Sequence, residues 1–370
     1  MTNKLNELNQ TLLMGPGPSC VSKSVYQALA KPTLGHLDPN FISLMDEIKI
    51  SLQKLFNTNN RLTIPISGTG SAGMEACFVN LIEPGDNVLI LINGVFGGRM
   101  EDIALRLGAN VDSINFDWGT PVLIDQVNQQ LKKKQYNIVA VVHAETSTGV
   151  CNPIKNIGEL VSNNGALYLV DSVTSLGGMN LKMDEWKIDA IYSGTQKCLS
   201  CPPGLSPISF SDRAVEKLSS RKIKVPNWYL DLTMIINYWD GNNRAYHHTA
   251  PINMLYGLYQ ACFNILEEGL QNVIKRHDEM HKLLINELSL LGLDLLVEES
   301  ARLPMLNAIM IPDEINDIEF RSNLINKFNI EIGGGLGPLA GKIWRIGLMG
   351  ETAKKESIYK LIDAFKKLLI

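Results

Sequence analysis

Asp171 ends the apolar run Ala-Leu-Tyr-Leu-Val-Asp, and Lys197 closes the stretch Asp-Ala-Ile-Tyr-Ser-Gly-Thr-Gln-Lys. Two successive buried strands thus each deliver a charged side chain at or just past the carboxyl end, one a carboxylate and the other an amine. An open α/β sheet binds its ligands at that edge. A cofactor that needs a carboxylate on a ring nitrogen and an amine for a Schiff base is pyridoxal phosphate (PLP). Most lysines are solvated surface residues, and an aspartate after a strand often only caps a loop. Here Ser193, Gly194, Thr195 and Gln196 lead into the lysine and Pro202-Pro203-Gly204 follows it. That is the composition of a constrained loop rather than of a helix face.

Other residues at strand ends can be weighed the same way. Gly68-Thr69-Gly70-Ser71-Ala72-Gly73 follows a strand and opens a helix, matching the dinucleotide fingerprint G-x-G-x-x-G. That fingerprint requires an acidic residue at the end of the next strand. Here that strand ends Leu91-Ile92-Asn93, so NAD is disfavoured. What survives is an anion site, with backbone N–H groups at a helix N-terminus and hydroxyls from Thr69 and Ser71. His143-Ala-Glu-Thr-Ser-Thr-Gly149 follows the run Ile138–Val142 and brings polar groups to the same edge. His143 could act as a base, but a histidine there is more often structural. Arg345 lies on an otherwise apolar strand after the glycine-rich 333–338, and a charge there needs a partner. The partner is either a buried carboxylate or a substrate carboxylate held by two parallel hydrogen bonds. Cys198-Leu-Ser-Cys201 lacks a second ligand pair for zinc and is followed by prolines, so it reads as coincidence.

These positions need a scaffold. Apolar runs at 62–66, 87–92, 138–142, 166–170 and 188–192 read as strands. Helical periodicity falls near 41–56, 72–81, 97–107, 123–133 and 156–162. The alternation implies an α/β fold with a mostly parallel sheet covered on both faces. After about 250 the rhythm changes. Helices are expected over roughly 255–265, 270–291 and 354–368, with strands at 305–311, 329–332 and 343–347. This suggests a smaller α+β domain with a boundary near Glu268-Gly269. The expected division is an N-terminal arm over 1–15, a large domain over 16–268 and a small domain over 269–370.

Composition agrees with a globular enzyme: 45% of the 370 residues are hydrophobic and 19% charged. The net charge of −4 argues against a general nucleic-acid binder. No apolar stretch approaches the ~18 residues that would span a bilayer. The polar start lacks a signal core, and the last residues do not form a Ser-Lys-Leu address, so a cytoplasmic location is expected. Six cysteines are too sparse for a disulfide scaffold.

Taken in order, these stretches resemble the class V, fold-type I PLP aminotransferases of the alanine–glyoxylate and serine–pyruvate branch. The likeness runs from about Leu12 to Gly350. It is carried by Leu-Met-Gly-Pro-Gly-Pro at 13–18, Met-Asp-Glu-Ile-Lys at 45–49, Ser-Gly-Thr-Gly at 67–70 and His-Ala-Glu-Thr-Ser-Thr-Gly at 143–149. It continues through Val-Asp-Ser-Val at 170–173, Ser-Gly-Thr-Gln-Lys at 193–197 and Pro-Pro-Gly at 202–204. Tyr-His-His-Thr at 246–249, Gly-Gly-Leu-Gly-Pro at 334–338 and Arg-Ile-Gly-Leu at 345–348 complete it. The resemblance implies that Lys197 carries the Schiff base and Asp171 pairs with the pyridinium nitrogen. Thr69, Gly70, Ser71 and Gln196 are implied near the phosphate, and Thr146 at the ring edge. Phe96 is implied over the ring face, where the family usually has tryptophan. Gly17 and Arg345 are implied at the substrate, with Arg345 clamping its carboxylate. Tyr246 and Thr249 are implied to reach the phosphate of a neighbouring subunit, and so a homodimer. The implied reaction moves an amino group from alanine, or from serine, to glyoxylate or pyruvate. Serine–glyoxylate and hydroxykynurenine transaminases share the same motifs. A cysteine desulfurase of this class would need a late loop cysteine, and the last one, Cys262, falls in a helical run.

Overall fold

Asn87–Ile92, Ile138–Val142 and Leu167–Asp171 are apolar without alternation, as strands buried on both faces must be, and all but the first residue of the three runs are buried. A computed structural model, describing residues 3–8, 10–240 and 244–369, makes them the centre of a seven-stranded sheet. The strand order is Leu62–Ser67, Leu205–Phe210, Ala190–Tyr192, Leu167–Asp171, Ile138–Val142, Asn87–Ile92 and Asn110–Asn115. The last five pair in parallel. Leu205–Phe210 alone runs against its two neighbours. The fold is therefore α/β with a mostly parallel sheet, as expected.

The five strands read from the sequence occur within two residues of their expected limits. Two others carry no clear signal. Asn110–Asn115 (Asn-Val-Asp-Ser-Ile-Asn) is a half-exposed edge strand and lacks an apolar run. Leu205–Phe210 contains Pro207, a residue that argues against a central strand. The proline is accommodated because the ladder to Ala190–Tyr192 ends at Ile208, and because Pro207 faces Pro65 across the other ladder. The helices Lys23–Leu29, Asp212–Ser219, Leu232–Trp239 and Asp317–Phe328 also lie outside the sequence reading.

One helix must come close to the sheet. An added Cβ on Gly73 would overlap Ser206 Oγ, so at this turn the helix Gly70–Leu81 packs on the strand Leu205–Phe210 with no side chain of its own in between. Its N-terminus is thereby fixed at the sheet edge.

A second core gathers Met14, Leu284, Phe320, Trp344 and Phe365 around the three-stranded sheet Leu306–Met310, Ile343–Gly347, Gly333–Gly334. Its expected strands and helices recur with small shifts. The helices Ile252–Glu268 and Leu270–Ser289 meet at Gly269, and Val273 on the second of them still packs in the first core. The segment leading into Met14-Gly-Pro-Gly-Pro18 has the sequence of a rigid loop with no helix or strand pattern, yet it is tied into the second core. Leu12–Leu13 pairs in parallel with Ile330–Glu331, and Met14 is fully buried in the second core. No described helix is long and apolar enough to cross a membrane.

Candidate active site

Parallel strands in register end at one level, so their following residues share one rim. Val142 lies opposite Asp171, and Asp171 opposite Tyr192. The rim encloses a cavity of about 140 Å³, whose walls include Gly70, Ser71, Phe96, Thr146, Asp171, Gln196 and Lys197. Seven of the expected site residues, from five separate segments, thus face one space.

Asp171 forms the floor. Its carboxylate accepts the Val173 N–H at 2.8 Å and the Tyr192 hydroxyl at 2.7 Å. Burial still pushes its pKa up to about 7, against those two hydrogen bonds, which lower it. The nearby negative charge of Glu145 adds to the rise.

Lys197 is 8% exposed, and its Nζ donates to the Pro16 carbonyl. Its loop is tied at several points. Ser19 donates its N–H to Gln196 O at 2.8 Å and its hydroxyl to Lys197 O at 2.7 Å. Thr195 Oγ1 donates to Pro202 O at 2.6 Å. Burial lowers the lysine pKa to about 8, and the positive charge of Arg345 adds to that. Gly17 has φ +107°, and a Cβ there would run into the lysine amine, so this position takes no side chain.

Arg345 lies on Ile343–Gly347, opposite Ala308 and Gly333. Its Nε donates to Gly334 O at 2.7 Å and its Nη1 to Thr146 O at 3.1 Å. Among the described residues no carboxylate forms an ion pair with it. No ion pair among the described residues therefore makes it a structural brace, although the buried Glu145 carboxylate is close enough to favour its charge. Through Thr146 it touches the same loop that lines the cavity.

Other expectations come out differently. Thr69 caps the helix Gly70–Leu81 without a side-chain cap bond and is exposed beside the cavity, not in its wall. Tyr246 is 60% exposed and bonds Thr249 at 3.3 Å, and neither lines this chain's cavity. His143 is buried, burial lowers its pKa to about 4, and its Nδ1 has no partner. It packs edge-on to Trp186 and does not line the cavity, so it is not placed to be a base there.

Three neighbours escaped the sequence reading. Tyr192 looked like a plain strand residue, although its register against Asp171 could have marked it. Glu145 was seen only as part of its motif. Arg99 lines the cavity, with its guanidinium 5.0 Å from the centre of the Phe96 ring. Its place one helical turn after Phe96 was the available signal.

A buried amine and a buried acid in one cavity wall at this sheet edge, with a guanidinium bonded to the cavity-lining Thr146, are the equipment of an amino-group transfer enzyme. The chain belongs to the aminotransferase class-V family, whose model matches residues 22–338. It is 42% identical to the alanine–glyoxylate aminotransferase of Callithrix jacchus, over 97% of this chain and 87% of that one. It is 39% identical to the (S)-ureidoglycine–glyoxylate transaminase of Bacillus subtilis, over 97% of this chain and 90% of that one. The crystal structure of an alanine–glyoxylate aminotransferase from Nostoc sp. superimposes with a TM-score of 0.96 at 46% identity, covering 100% of both chains. The chain is a transaminase.

The lysine environment gives a direct test. With any cofactor stripped by hydroxylamine, ¹³C-dimethylated Lys197 should titrate near pH 8, well below the ~10.4 of a free lysine. A midpoint above pH 10 would mean that the amine is solvated.

Proposed function

We propose that the protein is a PLP-dependent transaminase that moves the amino group of L-alanine to glyoxylate. The observation that carries this is Lys197 and Asp171 at the wall of one cavity, with Arg345 in no ion pair among the described residues. The named relatives support the substrates, and both use glyoxylate. They differ in the amino donor, so ureidoglycine is the second reading.

The residues present fit PLP. Gln196 Oε1 is buried in the cavity wall without a hydrogen-bond partner. The helix N-terminus at Gly70–Ser71 offers N–H groups that have no acceptor within the helix, suited to a phosphate. Gly70 keeps that approach open, since a Cβ there would press on Val173. Phe96 supplies a ring face, Thr146 a hydroxyl at the edge, and Asp171 a carboxylate for a ring nitrogen. When bound, PLP supplies an electron sink for charge developing at the substrate Cα.

The protein groups divide the remaining work. Arg345 holds the substrate carboxylate in its guanidinium fork, with two carbonyls fixing the plane of that fork. Lys197 Nζ takes the proton from Cα and returns it on the keto-acid side. An amine with a pKa near 8 is suited to that exchange at neutral pH. Asp171, held by Tyr192 and Val173, keeps a proton on the ring nitrogen. A cationic ring beside it would favour its ionised form. Gly17 leaves room for the lysine to swing.

We further propose a cytoplasmic homodimer. The cysteines are free among the described residues, which suits a reducing compartment. Tyr246 and Thr249 stand outside their own cavity and would complete a partner's phosphate site. A groove of about 920 Å³, with Ala28, Leu34, Leu44, Tyr256 and Tyr259 in its wall, offers apolar surface for such a contact.

Three measurements check these points. With glyoxylate as acceptor, kcat/KM for alanine should exceed those for serine, hydroxykynurenine and ureidoglycine. A leading rate with ureidoglycine would favour the second reading. Arg345→Lys should raise KM for both alanine and glyoxylate by about 10- to 150-fold, the cost of one charged hydrogen bond. An unchanged KM with a lowered melting temperature would make the arginine a structural brace. Sedimentation should show a dimer, of the kind that buries more than ~2,000 Å². A fully active monomer would contradict the shared site.

A further inference from the structure

The helix Val95–Arg106 begins at the cavity, and Phe96 is its second residue. A helix leaves its first N–H groups without acceptors, and an N-cap side chain normally supplies one. The N-cap here is Gly94, which has no side chain to do so. The acceptors come instead from the strand-end loop 145–147. Val95 N–H donates to Ser147 Oγ at 3.0 Å, and Phe96 N–H donates to Glu145 Oε2 at 3.2 Å. The Gly97 N–H also points to the Glu145 carboxylate. Its other oxygen accepts the Ser147 N–H at 3.0 Å and the Ser147 hydroxyl at 2.6 Å.

This arrangement is built with little tolerance. Glu145 is fully buried. Every group bonded to it is a donor, which is the environment of a carboxylate and not of a carboxylic acid. Gly94 has extended backbone, so a side chain would be allowed there by conformation, but its Cβ would overlap both Glu145 and Ser147. The missing N-cap side chain is thus the space the carboxylate fills. A negative charge at a helix N-terminus is also favoured by the helix dipole.

We infer that Glu145 is a positioning residue, which with Ser147 caps the Phe96 helix from another strand and so sets the ring at the cavity wall. The inference rests on the reading of Phe96 as the ring that stacks on the cofactor. Glu145 needs no contact with substrate for this. Its charge has a second effect, because it raises the pKa values of both Lys197 and Arg345. It therefore offsets part of the shift that burial imposes on the lysine.

Glu145→Gln keeps the shape and removes the charge. In the full chain without added PLP, the amides of Val95, Phe96 and Gly97 should exchange with solvent at least about tenfold faster, while those of the strand Ile138–Val142 should not change. The dissociation constant for PLP should rise about tenfold or more. In a Phe96→Ala background the same substitution should change PLP affinity less than about twofold, because the two residues would act through one ring. The lysine should titrate below the wild-type value, a shift that a purely structural role would not produce. Unchanged exchange at 95–97, or an equal loss of PLP affinity with and without the Phe96 ring, would overturn the inference. If Glu145→Gln does not fold, Ser147→Ala decides. It should release the Val95 amide and weaken PLP binding by a smaller factor, and no change in either would overturn it. A wild-type chain that fails to bind PLP at all would sink the proposed function, yet leave the exchange result to stand for the cap.

Discussion

An amine buried without a carboxylate bonded to it is the condition on which the rest of this site depends. A charged ammonium in such a place is disfavoured, and among the described residues its hydrogen-bond partner is a carbonyl, Pro16 O. Arg345, on the second core, adds positive charge and pushes the lysine further toward the neutral amine. Keeping that pocket enclosed requires segments far apart in the chain. The strand ends at Val142, Asp171 and Tyr192 supply the floor. The residues from Met14 to Ser19 close the side. They do so by joining the two cores: the Met14 N–H donates to the Glu331 carbonyl and the Met14 carbonyl accepts the Gly347 N–H, while Ser19 donates to the Gln196 and Lys197 carbonyls.

Three ionisable groups of one buried cluster are shifted in a pattern that suits transamination. Asp171 is raised toward neutrality and Lys197 lowered toward it, both chiefly by burial. Glu145 is raised by burial and drawn back by the donors around it. A cationic ring between Asp171 and Lys197 would return Asp171 to its ionised form while leaving the lysine poised to exchange a proton. Structural ion pairs do not explain the pattern, since the salt bridges among the described residues lie outside this cluster.

Much of this was legible in the chain because the parallel strands are apolar on both faces. Their ends, and with them Asp171, Gly70, Thr146 and Lys197, could be located from the runs alone. The antiparallel strand Leu205–Phe210 was not, because Pro207 contradicts a central strand until its partner Pro65 is known. Asn110–Asn115 was hidden by its half-exposed edge position. The N-terminal segment looked like a loop since its two-residue strand depends on Ile330–Glu331, more than three hundred residues away. Tyr192 and Glu145 were visible as residues but not as partners. Cross-strand register and helix capping from another segment are tertiary facts with no local pattern. Tyr246 and Thr249 fall outside the cavity of their own chain, and no pattern within one chain could show what they meet.

We propose Lys197 as the amine that engages PLP. Borohydride reduction of the PLP-loaded enzyme, followed by peptide mapping, tests it most directly. Loss of the yellow colour is expected, with a pyridoxyl group fixed on Lys197 Nζ. A reduced cofactor found on any other lysine, or none fixed at all, would contradict it.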